Sequence, residues 1–224
     1  MNPDTHPRTD TRPKPVRIVA AIAALVLLGA CASAPSIPQG ADDSTVSAYD
    51  VRESTVGDVD IAALTDSPLR KVVTMQIDRP VGEVFDFLLR EVDVYSEDIM
   101  AVAFDNDASA VPGQIALGSV RICTMTNGKR LVEPLVAFSQ DRYYAYTTDP
   151  ERSTMKLPIR DVVLFYTFEE KGPASTLVTV RAHYTPDVFA LARPLVNAVF
   201  KRNIDKTFAG AIDELGGRFV RTKL

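Results

Sequence analysis

The chain has 224 residues, 25 basic against 29 acidic, a formal charge of −4, no tryptophan and 46% apolar content. That length suits one domain with extensions and argues against a large multidomain enzyme, while the supply of Val, Leu, Phe and Tyr excludes a mostly disordered chain. An acidic balance argues against nucleic acid as a partner. Two cysteines and two histidines build neither a disulfide framework nor a Cys/His zinc site, so neither metal nor other cofactor is expected.

The first thirty residues read as an address. Met1 to Arg17 is polar and carries Arg8, Arg12, Lys14 and Arg17 against Asp4 and Asp10. Ile18 to Leu28 is then an unbroken apolar run of eleven residues, followed by Leu28-Gly29-Ala30-Cys31. A basic start, a short apolar centre and small residues at a cut describe a secretory signal. The run is too short to span hydrocarbon, which takes about 20 apolar residues. Leu-Gly-Ala-Cys resembles a bacterial lipobox. That resemblance implies that residues 1–30 are removed, that Cys31 is thioether-linked to diacylglycerol, and that its new amine is acylated, as by palmitate. The alternative is an ordinary signal peptide with a chance cysteine. Each buried methylene contributes about 0.8 kcal/mol, so two or three acyl chains anchor firmly. Ala32, where an aspartate is absent, resembles lipoproteins sorted to the outer membrane, which places the protein on that membrane's periplasmic face. Without residues 1–30 the chain holds 21 basic and 27 acidic residues, a charge of −6. Acyl chains, not overall charge, are then expected to hold it on anionic lipid.

Residues 31–67 contain the lipidated cysteine and a run rich in Ala, Ser, Pro, Asp and Thr without apolar period, which predicts a flexible linker. Some 35 such residues have an r.m.s. span of about 30 Å. Val51 to Leu64 offers an alternative, a short docking helix. Residues 68–221 read as one domain, large enough for a substantial core.

Within that domain Lys71–Ile77 is strand-like. Pro80 then suits the first turn of a helix, and Val81, Val84, Phe85 and Leu88 follow at helical spacing. A second short helix is expected over Val92–Ile99. Strand-like runs follow at Met100–Phe104, Gly118–Thr126, Arg130–Phe138, Tyr143–Thr148, Val162–Glu169 and Thr176–Tyr184. Asn127-Gly128 marks a hairpin between two of them. A long helix from about Val188 to Phe219 closes the chain, with Leu191, Leu195, Val199, Asn203 and Thr207 on one stripe and Ile204, Phe208, Ile212 and Leu215 beside it.

This order is similar to that of the START-like superfamily, which includes polyketide cyclase/dehydrase-type proteins, birch-pollen-allergen-like proteins and the plant abscisic-acid receptors. Ile77-Asp78-Arg79-Pro80-Val81-Gly82-Glu83-Val84-Phe85 resembles the family's opening. Gly118-Ser-Val-Arg121, Asn127-Gly128, Glu133-Pro-Leu and Tyr146 resemble its central hairpins, and Leu157-Pro158-Ile-Arg160-Asp161 and Ser175-Thr176-Leu-Val178 its last strands. The lack of tryptophan departs from the pattern. The resemblance implies an α+β helix-grip fold: a curved antiparallel sheet wrapped around a long C-terminal helix, with two short helices after the first strand. Between sheet and helix such folds keep an apolar cavity for lipids, steroids, hormones or polyketides.

Strand alternation sets Val178, Val180, Ala182 and Tyr184 on one face, expected inward, and Thr179, Arg181 and His183 on the other, so His183 is expected in solvent. Without an inward histidine, no Ser-His-Asp or Cys-His machinery assembles, and no catalytic residue is assigned. The resemblance places Tyr144 and Tyr146 inward, as cavity lining or plain core. It also suggests an inward Arg121 beside Cys123, although both faces of that strand are apolar and parity leaves the choice open. Glu133 matches a cavity glutamate of the hormone-receptor branch and Arg121 is its candidate partner; the alternative, credible beside Pro134, is a solvent-facing edge residue. Asn203 matches a cavity asparagine of the same branch, the alternative being the helix surface. Cys123 reads as a small buried hydrophobe.

The expected function is an envelope lipoprotein that binds a hydrophobic small molecule or lipid, for transport or sensing, through Arg121, Glu133, Tyr144, Tyr146, Tyr184 and Asn203, anchored to the membrane through Cys31. The alternatives are a cyclase-, dehydratase- or hydrolase-type enzyme using the same cavity, and a cavity-less domain that contacts envelope partners. No motif encodes ligand identity or oligomeric state.

Overall fold

The apolar runs after Pro68 form the strands they predict. The computed structural model describes Thr55–Val56 and residues 59–220. The signal, Cys31 and the linker before Thr55 lie outside the described residues. Residues 46–224 make one compact unit.

Two short pairing strands come first, β1 (Thr55–Val56) and β2 (Val59–Asp60), then a 3-10 turn at Ile61–Ala63. The domain proper runs β3 (Leu69–Ile77), α1 (Val81–Arg90), α2 (Val92–Tyr95), β4 (Ile99–Asp105), β5 (Val120–Met125), β6 (Arg130–Ser139), β7 (Tyr143–Thr147), β8 (Ile159–Gly172), β9 (Ser175–Pro186), α3 (Arg193–Leu215) and β10 (Gly217–Phe219). The eight later strands form one antiparallel sheet in the order β10-β3-β9-β8-β7-β6-β5-β4. This is the α+β helix-grip arrangement.

Local chemistry fixes the joints. Pro80 is extended and caps α1, whose Val84, Phe85, Leu88 and Leu89 are buried. The Tyr95 hydroxyl donates to the Leu88 carbonyl at 2.9 Å and ties α2 to α1. Gly210 of α3 abuts this turn: a Cβ there would sit 2.2 Å from the Tyr95 carbonyl oxygen, so only glycine lets the helices approach this closely. The Asn127-Gly128 turn joins β5 and β6, with Gly128 at φ 78°.

The long helix ends at Leu215 rather than near Phe219. Gly216 and Gly217 take φ of 80° and 139°, which breaks the helix and turns Gly217–Phe219 back to pair with β3. Its core-facing stripe also differs from the expected one. Ile204, Phe208, Ala211 and Leu215 are buried, with Val196, Phe200 and Ile212 packed against the core, whereas Leu191, Leu195, Val199 and Asn203 are exposed. Two neighbouring apolar stripes compete on this helix, and the one carrying the aromatics faces the sheet.

The sheet has two covered faces. On the inner face, directly opposed residues form one row across five strands, Phe138, Tyr144, Tyr166, Val180 and Val73, beneath α1 and α3. On the outer face Ile61, Ala137, Ala145, Val163 and Phe165 form a second cluster with Val59 and Leu64. The stretch from Val59 to Ser67, expected within the linker, therefore packs on the domain, through a single 3-10 turn and not the longer helix considered for Val51–Leu64. His183 lies on the outer face, as parity requires, but is 8% exposed, because this segment covers it; its Nδ1 is 3.1 Å from the Ser67 carbonyl.

Candidate ligand-binding interior

The inner face carries a small polar cluster in apolar surroundings. Arg121 on β5 and Glu133 on β6 are direct cross-strand partners, so their side chains leave the sheet side by side. Arg121 Nε and Nη2 approach Glu133 Oε2 at 2.9 and 2.8 Å, and the two residues are 3% and 5% exposed. The Cys123 thiol, two residues along the same face, lies 3.4 Å from the same oxygen. The guanidinium carbon sits 3.8 Å from the centre of the Tyr146 ring, a cation–π contact in a desolvated setting. The inward orientation of Arg121 and Glu133, left open by parity, is thus resolved: each supplies the partner that makes the other's burial tolerable.

Around this pair the aromatic packing is dense. Tyr144 stacks on Tyr166 at 4.5 Å, edges against Phe85 at 5.4 Å and meets Tyr146 at 5.5 Å. Tyr184, further along β9, edges against Phe200 of α3 at 4.7 Å. Tyr144, Tyr146 and Tyr184 are all fully buried, inward as expected. Three of their hydroxyls and Arg121 Nη1 are buried without a hydrogen-bond partner of good geometry. Such groups ordinarily find one.

The electrostatics keep the tyrosines and the thiol of this interior protonated. Burial pushes the Tyr144 and Tyr146 hydroxyls well above the usual tyrosine range. Tyr166 is pushed up to about 12, with the nearby Arg121 charge pulling partly back. Burial, and then the Glu133 charge, push the Cys123 thiol up to about 12, which removes it as a nucleophile. Burial opposes the charge on Arg121, and Glu133 together with Tyr146, Cys123 and Tyr166 more than offsets it, holding the guanidinium above its usual value. The chemistry on offer is hydrogen-bond donation from neutral tyrosines and a fixed cation. His183 is on the other face of the sheet and takes no part.

Asn203 is a correction. It stands on the exposed side of α3, one position from the buried Ile204, and does not face the sheet. Tyr166 is the residue that sequence reasoning missed. Its strand is apolar on both faces, Val163 and Phe165 serving the outer cluster and Tyr166 and Phe168 the inner, so alternation gave no contrast. The one available signal was its place directly opposite Tyr144.

Two surface clefts stand out, of about 340 and 320 Å³. The first lies among Arg70, Thr185, Pro186, Ala190, Arg193 and Asn197, the second between the α2–β4 junction and the outer side of α3. Neither is lined by the inward tyrosines. Among the described residues no three His, Cys, Asp or Glu side chains converge as metal ligands, and no helix is long and apolar enough to cross a membrane.

Fold and packing together define a helix-grip domain with a polar cluster buried in its interior. The family described as polyketide cyclase/dehydrase and lipid transport matches residues 69–216, and the chain belongs to it. The sequence matches no curated protein. Among solved structures it is similar to the Zhui aromatase/cyclase from a Streptomyces species, at 12% identity and a TM-score of 0.51, over 66% of this chain and 94% of that one. It is also similar to Ara h 8.0201, at 15% identity and 0.46 over 65% and 98%. XoxI from Bacillus cereus shares 15% identity, with a TM-score of 0.49 over 65% and 94%. The likeness to the aromatase/cyclase is one of fold alone.

Proposed function

We propose that this domain binds one hydrophobic small molecule or lipid bearing a polar group, between the sheet and α3, and that acylated Cys31 holds it on the periplasmic face of a bacterial outer membrane. The observation that supports it is the set of buried polar atoms without protein partners, the hydroxyls of Tyr144, Tyr146 and Tyr184 and Arg121 Nη1, inside an otherwise apolar interior. An unpaired buried polar group costs about 1–3 kcal/mol, and a guest's carbonyl or hydroxyl accepting from these donors removes that cost. Membership of a family described by lipid transport agrees with an apolar guest.

Native mass spectrometry of the 46–224 fragment, as purified and after exposure to a fluorescent fatty acid and a polycyclic aromatic probe, tests the binding. A one-to-one complex weakened by Tyr144→Phe is the expected result. Failure of the fragment to retain or take up either probe refutes it. The anchor is tested separately: Cys31→Ser should release the full chain from the membrane fraction, and persistence there overturns acylation.

One observation favours a second reading. The rings of Phe85, Tyr144, Tyr166 and Phe168 pack at 4.5–5.5 Å, and both clefts lie outside this interior. A domain so filled suits contact with envelope partners instead of a guest, and a negative binding result selects it. An enzyme reading is weaker. Removing a substrate proton needs a base, and Glu133, the inward carboxylate among the described core residues, is already engaged by Arg121 and Cys123.

A further inference from the structure

We infer that the N-terminal half of α3 docks on a bilayer surface carrying anionic phosphate headgroups, independently of any acyl anchor. The observation is a helix apolar on two sides. Val196, Phe200 and Ile204 pack toward the sheet. On the other side Leu195 and Val199 are 68% and 38% exposed, and Phe189 and Leu191, at the 3-10 turn Ala190–Ala192 just before the helix, are 73% and 89% exposed. Their spacing, 191-195-199 with Ala198 between and Arg202 a turn further, is that of an amphipathic face. A contiguous exposed apolar patch marks a surface that another surface covers.

Charge identifies the cover. The exposed cations Arg193, Lys201 and Arg202 lie along this stretch, against the exposed carboxylates of Asp187 and Asp205, the latter already engaged by Lys71 at 2.7 Å, in a chain that is acidic as a whole. Two copies of this face brought together would set these cations against one another. A surface of phosphate headgroups complements them, and each cation near such a surface strengthens the attraction, which salt screens. At the foot of the ridge lies the 340 Å³ cleft between Arg70 and Arg193. Each guanidinium spends Nε on a carbonyl, Arg70 on Tyr184 at 3.3 Å and Arg193 on Val188 at 3.4 Å. That contact orients the group, and its terminal nitrogens remain for a headgroup phosphate. In this geometry Phe189, Leu191 and Leu195 enter the acyl boundary while the arginines stay at the phosphates.

The test uses the 46–224 fragment. It lacks Cys31 and the apolar run at Ile18–Leu28, and it carries both hydrophobic clusters of the described residues. In vesicle co-sedimentation, binding to phosphatidylglycerol-rich vesicles should exceed binding to phosphatidylcholine vesicles, and it should fall as salt is raised. The exposed double variant Leu191→Asp/Leu195→Asp and the charge variant Arg193→Glu/Arg202→Glu should each weaken it by roughly tenfold or more with unchanged melting temperature. Val94→Asp, at an exposed apolar site on another surface, should leave it intact. Equal binding by the Leu191→Asp/Leu195→Asp variant, or no vesicle binding by the unaltered fragment, overturns the inference. So does a dimer in sedimentation velocity that the same leucine variants break, which would make the face a self-interface. Probe uptake in the interior is a separate readout, so failure here and failure of the guest-binding proposal are distinguishable.

Discussion

The two faces of the sheet are closed in different ways, the inner over the large core and the outer over a small cluster. The outer face is closed by Ile61, Val59 and Leu64 over Ala137, Ala145, Val163 and Phe165, with small residues below, and its neighbouring polar groups bond across the seam, Ser67 to Thr185 at 2.8 Å and Thr65 to the Asp161 carbonyl at 3.1 Å. The inner face is aromatic and holds a buried ion pair, a thiol and three tyrosine hydroxyls without partners. Stability alone favours the first design, since unpaired polar atoms lower it. The buried ion pair and these tyrosine hydroxyls, set among aromatic rings, distinguish the inner face as the one proposed to meet a guest.

The comparison breaks most sharply at the ion pair. Glu133→Gln leaves the Arg121 charge buried without its counter-ion and should lower unfolding free energy by about 3–5 kcal/mol in denaturant titration. The double change Arg121→Met/Glu133→Leu should recover most of that loss, because two well-packed apolar groups avoid the desolvation of both charges. If the single and double variants are equally unstable, the pair is not what the inner face is organised around. On the outer face Ile61→Ala should cost about 2–4 kcal/mol through its cavity and leave probe binding unchanged. A loss of binding there would couple the two faces and remove the distinction.

Most of the architecture was legible because period-2 and helical patterns are strong where one face of an element meets water. The order of strands and helices, the Asn127-Gly128 hairpin and the inward set Val178, Val180, Ala182 and Tyr184 followed from such contrast. It failed where the contrast vanishes. β8 is apolar on both faces, the N-terminal segment covering the outer one, and β5 is apolar on both faces as well, so Arg121 was ambiguous and Tyr166 passed unnoticed. The cover itself, residues 59–67, was read as linker, since its few apolar residues are too sparse for a period, yet it buries Ile61 in the outer cluster with Val59 and Leu64 beside it. On α3 two apolar stripes compete, and the one that carries Asn203 faces away from the sheet. Packing against Tyr166 and Tyr184 through Phe208 and Phe200 decided between them, and that information is tertiary.

Titration sharpens the same contrast. In the folded chain the Cys123 thiol and the Tyr166 hydroxyl are each pushed up to about 12, from ordinary values of 9.0 and 10.0. Groups whose folded pKa is raised contribute stability that is complete below the unfolded pKa and is lost as pH rises through the folded one. Unfolding free energy should therefore hold up to about pH 9 and decline toward pH 12 in alkaline titrations. A Cys123→Ala/Tyr166→Phe variant should show a shallower decline, and an identical slope would mean that the inner face is wetter than its geometry. Native Cys123 should likewise resist iodoacetamide at pH 8 and react on unfolding.

The smallest effect is the most diagnostic, because its sign differs between the two uses of the inner face. Tyr144→Phe and Tyr184→Phe each remove a buried hydroxyl that has no partner while keeping the ring and its edge contacts. In a face built only for cohesion, tyrosine would be there for its hydroxyl, and losing it would destabilise. Here the hydroxyl is a liability to the empty fold, so each change should raise unfolding free energy by about 1 kcal/mol. The same change withdraws a donor from the guest's polar group and should weaken probe binding several-fold. Stability and binding should thus move in opposite directions on the inner face. If both fall together, the hydroxyls have protein or water partners that complete an ordinary core, and the inner face has no more claim to a ligand than the outer one.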